Sequence, residues 1–160
     1  MKKIFICFSC AFVLLMSACS TGYERSNNPG SLVSVKMEEV RDMMEKKETF
    51  ALMFTQTNCS HCIDFLEGVL SDYISDHELV MYDVVFDKLD SMDDVYKFIE
   101  EHPNPKRFLG EGMDETSAYT PSFYFIEDGE VKDIYIGQMD ERTLDGFVKQ
   151  YRLDEVKKIV

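Results

Sequence analysis

Basic residues are scarce in this 160-residue chain: 17 Lys and Arg stand against 30 Asp and Glu, for a net charge of −13. A surface of that sign repels phosphate backbones and anionic headgroups, which excludes nucleic-acid binding and polybasic docking on lipid. Tryptophan is absent, histidine occurs three times, and there are only four prolines and five cysteines. Internal repeats are lacking, as is any low-complexity tract outside residues 20–34. What remains is the make-up of a folded protein, 45% hydrophobic and 12% aromatic, too apolar for intrinsic disorder. The length fits a single domain.

The N-terminus reads as an address. Met1-Lys2-Lys3 carries positive charge, and an apolar run from Ile4 to Met16 is broken only by Ser9. Those 13 residues fall short of a bilayer-spanning helix, which needs roughly 20, and match a signal peptide's charged and hydrophobic regions. The run closes with Leu15-Met16-Ser17-Ala18-Cys19. This resembles the lipobox of bacterial lipoproteins, which implies cleavage after residue 18 and a lipid on Cys19. Met16 departs from the leucine usual at its position. An ordinary secretory signal and an uncleaved anchor are the alternatives.

An odd number of cysteines in an exported chain needs explaining. Cys7 and Cys10 leave with the signal and Cys19 becomes the anchor, so only Cys59 and Cys62 remain as thiols. Residues 20–34, rich in Ser, Asn, Gly and Pro, are expected to form a flexible tether. Residues 35–160 are expected to form the folded domain.

Within that domain, Met37, Val40 and Met44 share a helical face. Phe50-Ala51-Leu52-Met53-Phe54 is apolar without a break, as in a strand buried on both faces. A helix is predicted over 59–75, with Ile63, Leu66, Leu70 and Ile74 as its buried stripe, then a second central strand over 79–86. Together these make a βαβ unit with a parallel strand pair. A helix over 92–101 precedes an irregular stretch, 102–119, broken by Pro103, Pro105, Gly110 and Gly112. Strands at 123–126 and 131–136 flank the hairpin signal Asp128-Gly129. A last helix begins near Asp140 and buries Leu144, Phe147, Val148 and Tyr151. The expected class is α/β, a central mixed sheet built as βαβ then ββα and flanked by helices.

Cys59-Ser60-His61-Cys62 falls where the buried strand gives way to the amphipathic helix. A helix N-terminus presents free N–H groups and a favourable dipole, so it stabilises a thiolate on Cys59. Cys62 sits one turn further in, able to bond its partner and less open to solvent. His61, when protonated, adds a stabilising positive charge.

The chain resembles the thioredoxin superfamily in Phe50–Phe54, in the CxxC Cys59–Cys62, and in Thr120-Pro121 before the later strand. The likeness spans residues 35–151. It implies a thioredoxin fold, a cis proline at Pro121 packed against the CxxC, and backbone groups at Thr120 for an extended substrate peptide. Asn58 stands where thioredoxin has tryptophan, and Met53 where it keeps a buried carboxylate that moves protons for the second cysteine. Proton transfer from Cys62 must then use water, His61 or another group. The segment 87–118 is longer than in a minimal thioredoxin, and would cover the active site or select substrates. His61 is similar to the dipeptide residue of strongly oxidising periplasmic enzymes. There is also a narrower likeness to thioredoxin-like accessory proteins of bacteriocin export.

CxxC closes so small a loop that a purely structural disulfide would constrain the unfolded chain little. Zinc would need more than this pair, and His77 and His102 are isolated. Both histidines are expected to be solvated. Met37, Met44, Met53 and Met81 are expected in the core rather than on copper, whereas Met113 and Met139 lie near loops and stay open. Asp90, Asp93, Asp94, Glu100 and Glu101 read as a solvated helix face. The resulting expectation is a monomeric thiol–disulfide oxidoreductase, lipid-anchored in the bacterial envelope outside the cytoplasm. Cys59 and Cys62 are catalytic, Ser60, His61, Thr120 and Pro121 support them, and no metal or cofactor is needed. Its partners are protein thiols and disulfides and a redox partner. The rivals are a thioredoxin-like accessory or binding module whose cysteines are incidental, and a copper- or zinc-handling lipoprotein.

Overall fold

The apolar run at residue 50 becomes the centre of the sheet. The computed structural model describes residues 23–156, so the expected signal segment and Cys19 lie outside the described residues. In chain order it contains β1 (Ser31–Ser34), α1 (Met37–Glu45), β2 (Phe50–Thr55), α2 (Ser60–Phe65), α3 (Ser71–Tyr73), β3 (Val80–Val85), α4 (Asp93–Glu101), β4 (Ser122–Glu127), β5 (Glu130–Ile136) and α5 (Glu141–Tyr151). A π-helical turn, Leu66–Leu70, joins α2 to α3. The strands lie in the order β1-β3-β2-β4-β5, with β2 parallel to β3 and antiparallel to β4. Every residue of β2 is buried, as its composition predicts.

Alternation along the strands divides the core in two. Leu52, Phe54, Val84, Tyr124 and Ile126 face α1 and α4, whose Val40, Val95, Phe98 and Ile99 cover them. Ala51, Met53, Met81, Phe123 and Phe125 face the other way, against Phe65, Leu70, Tyr73, Leu144 and Val148. The hairpin forms where expected, with Asp128 and Gly129 at φ 52° and 77°. A Cβ on Gly129 would also meet the Met44 carbonyl oxygen at 2.1 Å, so the turn seats directly on the end of α1.

Several expectations need correction. Residues 23–34 are not a free tether: Ser31–Ser34 pairs in parallel with β3 as an edge strand. Arg25 bridges Glu155, and Ser26 N–H donates to the Asp154 carbonyl at 2.8 Å. Polar composition concealed this because an edge strand buries little side chain, and its stability comes from main-chain bonds. Gly30 admits the close approach, since a Cβ there would lie 2.1 Å from the Leu79 oxygen.

The buried stripe of the CxxC helix is also turned from the predicted one. Cys62, Phe65, Leu70 and Tyr73 point inward, and Ile63 is 41% exposed. Phe65 stacks edge-on with Phe123 at 4.7 Å, and the π turn shifts the residues after it. In α5, Phe147 is only partly buried, stacked on Phe125 at 4.0 Å. Within 87–118, α4 lies on the face opposite α2, so it does not cover the dithiol. The loop that follows is ordered by buried Asn104, whose side-chain amide donates to Ser117 O at 2.7 Å.

His77 and His102 are packed rather than solvated. His77 stacks flat on Tyr73 at 4.2 Å. His102 packs on Phe98 at 4.8 Å, and burial holds its imidazole below the ordinary pKa. Met53, Met81 and Met37 are core residues, and Met139 joins them at 0% exposure.

Candidate active site

β2 ends at Thr55, and the chain turns through Gln56, Thr57 and Asn58 before α2 starts. The turn is pinned at two points. Cys59 N–H donates to Gln56 O at 3.2 Å, and Thr57 N–H donates to Asp87 Oδ1 at 2.9 Å. The Thr57 hydroxyl donates to the other oxygen of Asp87, and this pair of bonds holds the carboxyl below its usual range.

Cys59 is the N-cap of α2. It has extended backbone angles, φ −89° and ψ 107°, and its Sγ accepts the Cys62 N–H at 3.1 Å. A sulfur in the N-cap position receives a helix N–H that would otherwise lack a partner, and that bond strengthens when the sulfur is a thiolate. Cys59 and Cys62 are joined as a disulfide, with Cα atoms 5.2 Å apart. Their environments differ: Cys59 is half-buried, whereas Cys62 is 0% exposed. One sulfur is open to a partner and the other is sealed beneath it. Ser60 and His61 are both exposed, on the solvent side of the first turn.

The Thr120–Pro121 peptide is cis, and Pro121 is buried where β4 begins. Gly137 N–H donates to Pro121 O at 2.8 Å, and the Thr120 hydroxyl reaches Gln56 Oε1 at 3.5 Å. The structure therefore brings Thr120 beside the turn that carries Cys59, although 61 residues separate the two.

The fold topology and this dithiol at the end of β2 invite comparison with known proteins. No family model matches the chain, and no curated protein matches it. Solved structures do. A thioredoxin from Aeropyrum pernix superposes with a TM-score of 0.51 at 14% identity, covering 79% of this chain and 91% of its own. The chain has the thioredoxin fold. An oxidised thioredoxin from Arabidopsis thaliana scores 0.50 at 18% identity, over 76% of this chain and 98% of that one. A thioredoxin from Malassezia sympodialis scores 0.51 at 19% identity, over 78% and 93%.

Sequence reading missed one polar residue beneath this thioredoxin-fold site. Asp83 is 5% exposed in the middle of β3, directly across from Met53 in the parallel register. Its carboxylate accepts the Thr55 hydroxyl at 2.8 and 3.1 Å. Burial pushes the Asp83 pKa up to about 6, against the opposing pull of Thr55 and Lys88. The signal was present: an aspartate interrupts an otherwise apolar run, Val80-Met81-Tyr82-Asp83-Val84-Val85. Among the described residues no group of three or more His, Cys, Asp or Glu is placed to hold a metal ion.

Proposed function

We propose that this chain is an exported, lipid-anchored thiol–disulfide oxidoreductase that exchanges disulfides with protein substrates. The observation that carries the reading is the asymmetry of the pair, a half-exposed Cys59 capping a helix over a fully buried Cys62. The Cys59 thiolate attacks a substrate disulfide and forms a mixed disulfide, and one substrate sulfur leaves as a thiolate. Cys62 then attacks Cys59, closing the Cys59–Cys62 bond and releasing the second substrate thiolate. Oxidation of a substrate dithiol runs the same steps backwards. Thr120 and Pro121, beside the Cys59 turn, line the side on which an extended peptide would dock. Export and anchoring rest on the N-terminal pattern and on Cys19. No helix among the described residues is long and apolar enough to cross a membrane.

Cys62→Ser in the chain from Ser20 onward is expected to trap partners as mixed disulfides on Cys59, read by non-reducing electrophoresis and mass spectrometry. No trapped species under conditions where the wild type turns over would overturn the reading. Equilibration in glutathione buffers then sets the direction. A potential near about −270 mV marks a reductant, and one near about −120 mV a disulfide donor. Full function in a Cys59→Ser, Cys62→Ser double variant would favour a binding module instead.

A further inference from the structure

The resolving step leaves a proton to be placed. Cys62 is fully buried, a thiol is a poor nucleophile, and its proton must leave as the sulfur attacks Cys59. His61 is exposed on the far side of the helix turn.

Among the described residues, the sheet face beneath α2 carries one buried carboxylate near the dithiol end, Asp83, level with the phenol of Tyr135 on β5. Ala51, Met53 and Thr55 alternate onto that face of β2, and Met81 and Asp83 onto the same face of β3. The Thr55–Asp83 hydrogen bond confirms the shared side. It is the face on which Phe65 of α2 packs, one helical turn beyond Cys62. Asp83 also lies toward the strand end from which the Cys59 turn departs, since its hydroxyl partner Thr55 is four residues before Cys59.

The charges around this carboxylate are few. β2 offers the Thr55 hydroxyl, and β1 contributes main chain, with Val35 N–H on the Asp83 carbonyl at 2.9 Å. On α2 and the π turn that follows it, Asp64 and Glu67 are exposed. Lys88, exposed beyond β3, is the cation that acts on it. Of the other ionisable groups of this face, Arg25, Tyr73, Asp145 and Asp154 are bonded to one another, the Tyr151 hydroxyl donates to Asp133, and the Tyr135 hydroxyl donates to the Gln138 carbonyl.

We propose that Asp83, held by Thr55, is the proton acceptor for Cys62 in the resolving step, a role that rests on the oxidoreductase reading. The Cys62 proton passes to the Asp83 carboxylate, directly or through one water. The Cys62 electron pair forms the bond to Cys59 Sγ, and the Cys59–substrate S–S bond breaks with its pair on the departing thiolate. The dithiol is oxidised by two electrons and the substrate disulfide is reduced by two. Asp83 returns its proton to solvent before the next cycle.

The test uses the reduced chain from Ser20 onward and dithiobis(nitrobenzoate), followed by stopped-flow absorbance. One coloured thiolate leaves in the bimolecular attack by Cys59 and a second in the unimolecular resolution by Cys62. Asp83→Asn is expected to slow the second release on the order of 100-fold and to leave the first within about twofold. In the wild type the second rate should rise with pH through an inflection near 6, the value burial gives Asp83, and the Asn variant should lack it. Thr55→Ala keeps the carboxylate but removes its hydrogen bond, so the inflection should move to higher pH; a merely structural Asp83 would not move it. An unchanged second phase in Asp83→Asn, or an unmoved inflection in Thr55→Ala should the Asn variant not fold, would overturn the proposal. A wild type that released no thiolate in either phase would overturn the oxidoreductase reading itself.

Discussion

Two aspartates are almost completely buried in this protein, and they sit in opposite circumstances. Asp154 follows α5 with its side chain at 0% exposure, and accepts Arg25 Nε and the Tyr23 hydroxyl, each at 2.7 Å. Arg25 is itself shared with Asp145 at 2.9 Å and with the Tyr73 hydroxyl at 2.8 Å. Asp83 has a threonine hydroxyl and the field of an exposed lysine, Lys88. A buried charge with an adjacent cation and hydrogen bonds serves the fold, tying the N-terminal segment to the last helix. A buried carboxyl without an adjacent cation costs stability when ionised, and residues of that kind concentrate where chemistry needs a titrating group. The same side chain is structural at one end of the molecule and chemical at the other.

Removing the paired acid should have the largest effect. Asp154→Ala leaves Arg25 and the Tyr23 hydroxyl without their buried partner, and should cost about 3 to 4 kcal/mol. That is the low side for a broken buried pair, because Arg25 is 24% exposed and keeps Asp145. Urea unfolding of the oxidised chain measures it, and the rate of thiolate release should not change.

Removing the unpaired acid should do the reverse. Folding raises the Asp83 pKa from 3.8 to about 6, so the folded chain holds this proton more tightly than the unfolded one. The stability this contributes is complete below about pH 4 and is lost as pH rises through about 6. Asp83→Asn should therefore stabilise the oxidised chain at pH 7 by up to about 3 kcal/mol, at 1.36 kcal/mol per pKa unit, while slowing resolution. The gain should vanish near pH 4. Stabilisation that persisted at low pH would mean that the ionisation of Asp83 is not its source.

The smallest change sharpens the contrast at the clasp. Tyr73→Phe keeps the ring against His77 but removes the hydroxyl that accepts from Arg25 and donates to Asp145 at 3.1 Å. A loss of about 1 kcal/mol is expected in the same unfolding experiment. A loss as large as that of Asp154→Ala would show that the network behaves as one unit rather than as separable bonds.

The strands and helices with strong apolar patterns were legible in the chain. Phe50–Phe54 could only be a strand buried on both sides, and Asp128-Gly129 could turn a hairpin with little strain because glycine and aspartate tolerate positive φ. The CxxC was legible because its chemistry is local. Less visible were elements whose stability comes from partners distant in sequence. β1 is short, exposed at Leu32 and Val33, and exists because β3 offers its edge. Arg25 reads as a linker residue in the sequence because each of its three acceptors lies 48 or more residues away. The inward face of α2 departs from the periodic stripe because Phe65 has a partner, Phe123, that no helical periodicity announces.

The sequence by itself determined the α/β order, the parallel pair around β2, the hairpin and the pair of cysteines at a helix start. These follow from periodicity, turn chemistry and spacing, which act over a few residues. Only the tertiary structure decided that Thr120 stands beside the Cys59 turn and that residues 23–34 belong to the domain. It also decided the state of Asp83. Burial and neighbouring charge set the pKa of a carboxyl, and both are properties of the packed molecule that the chain does not carry along its length.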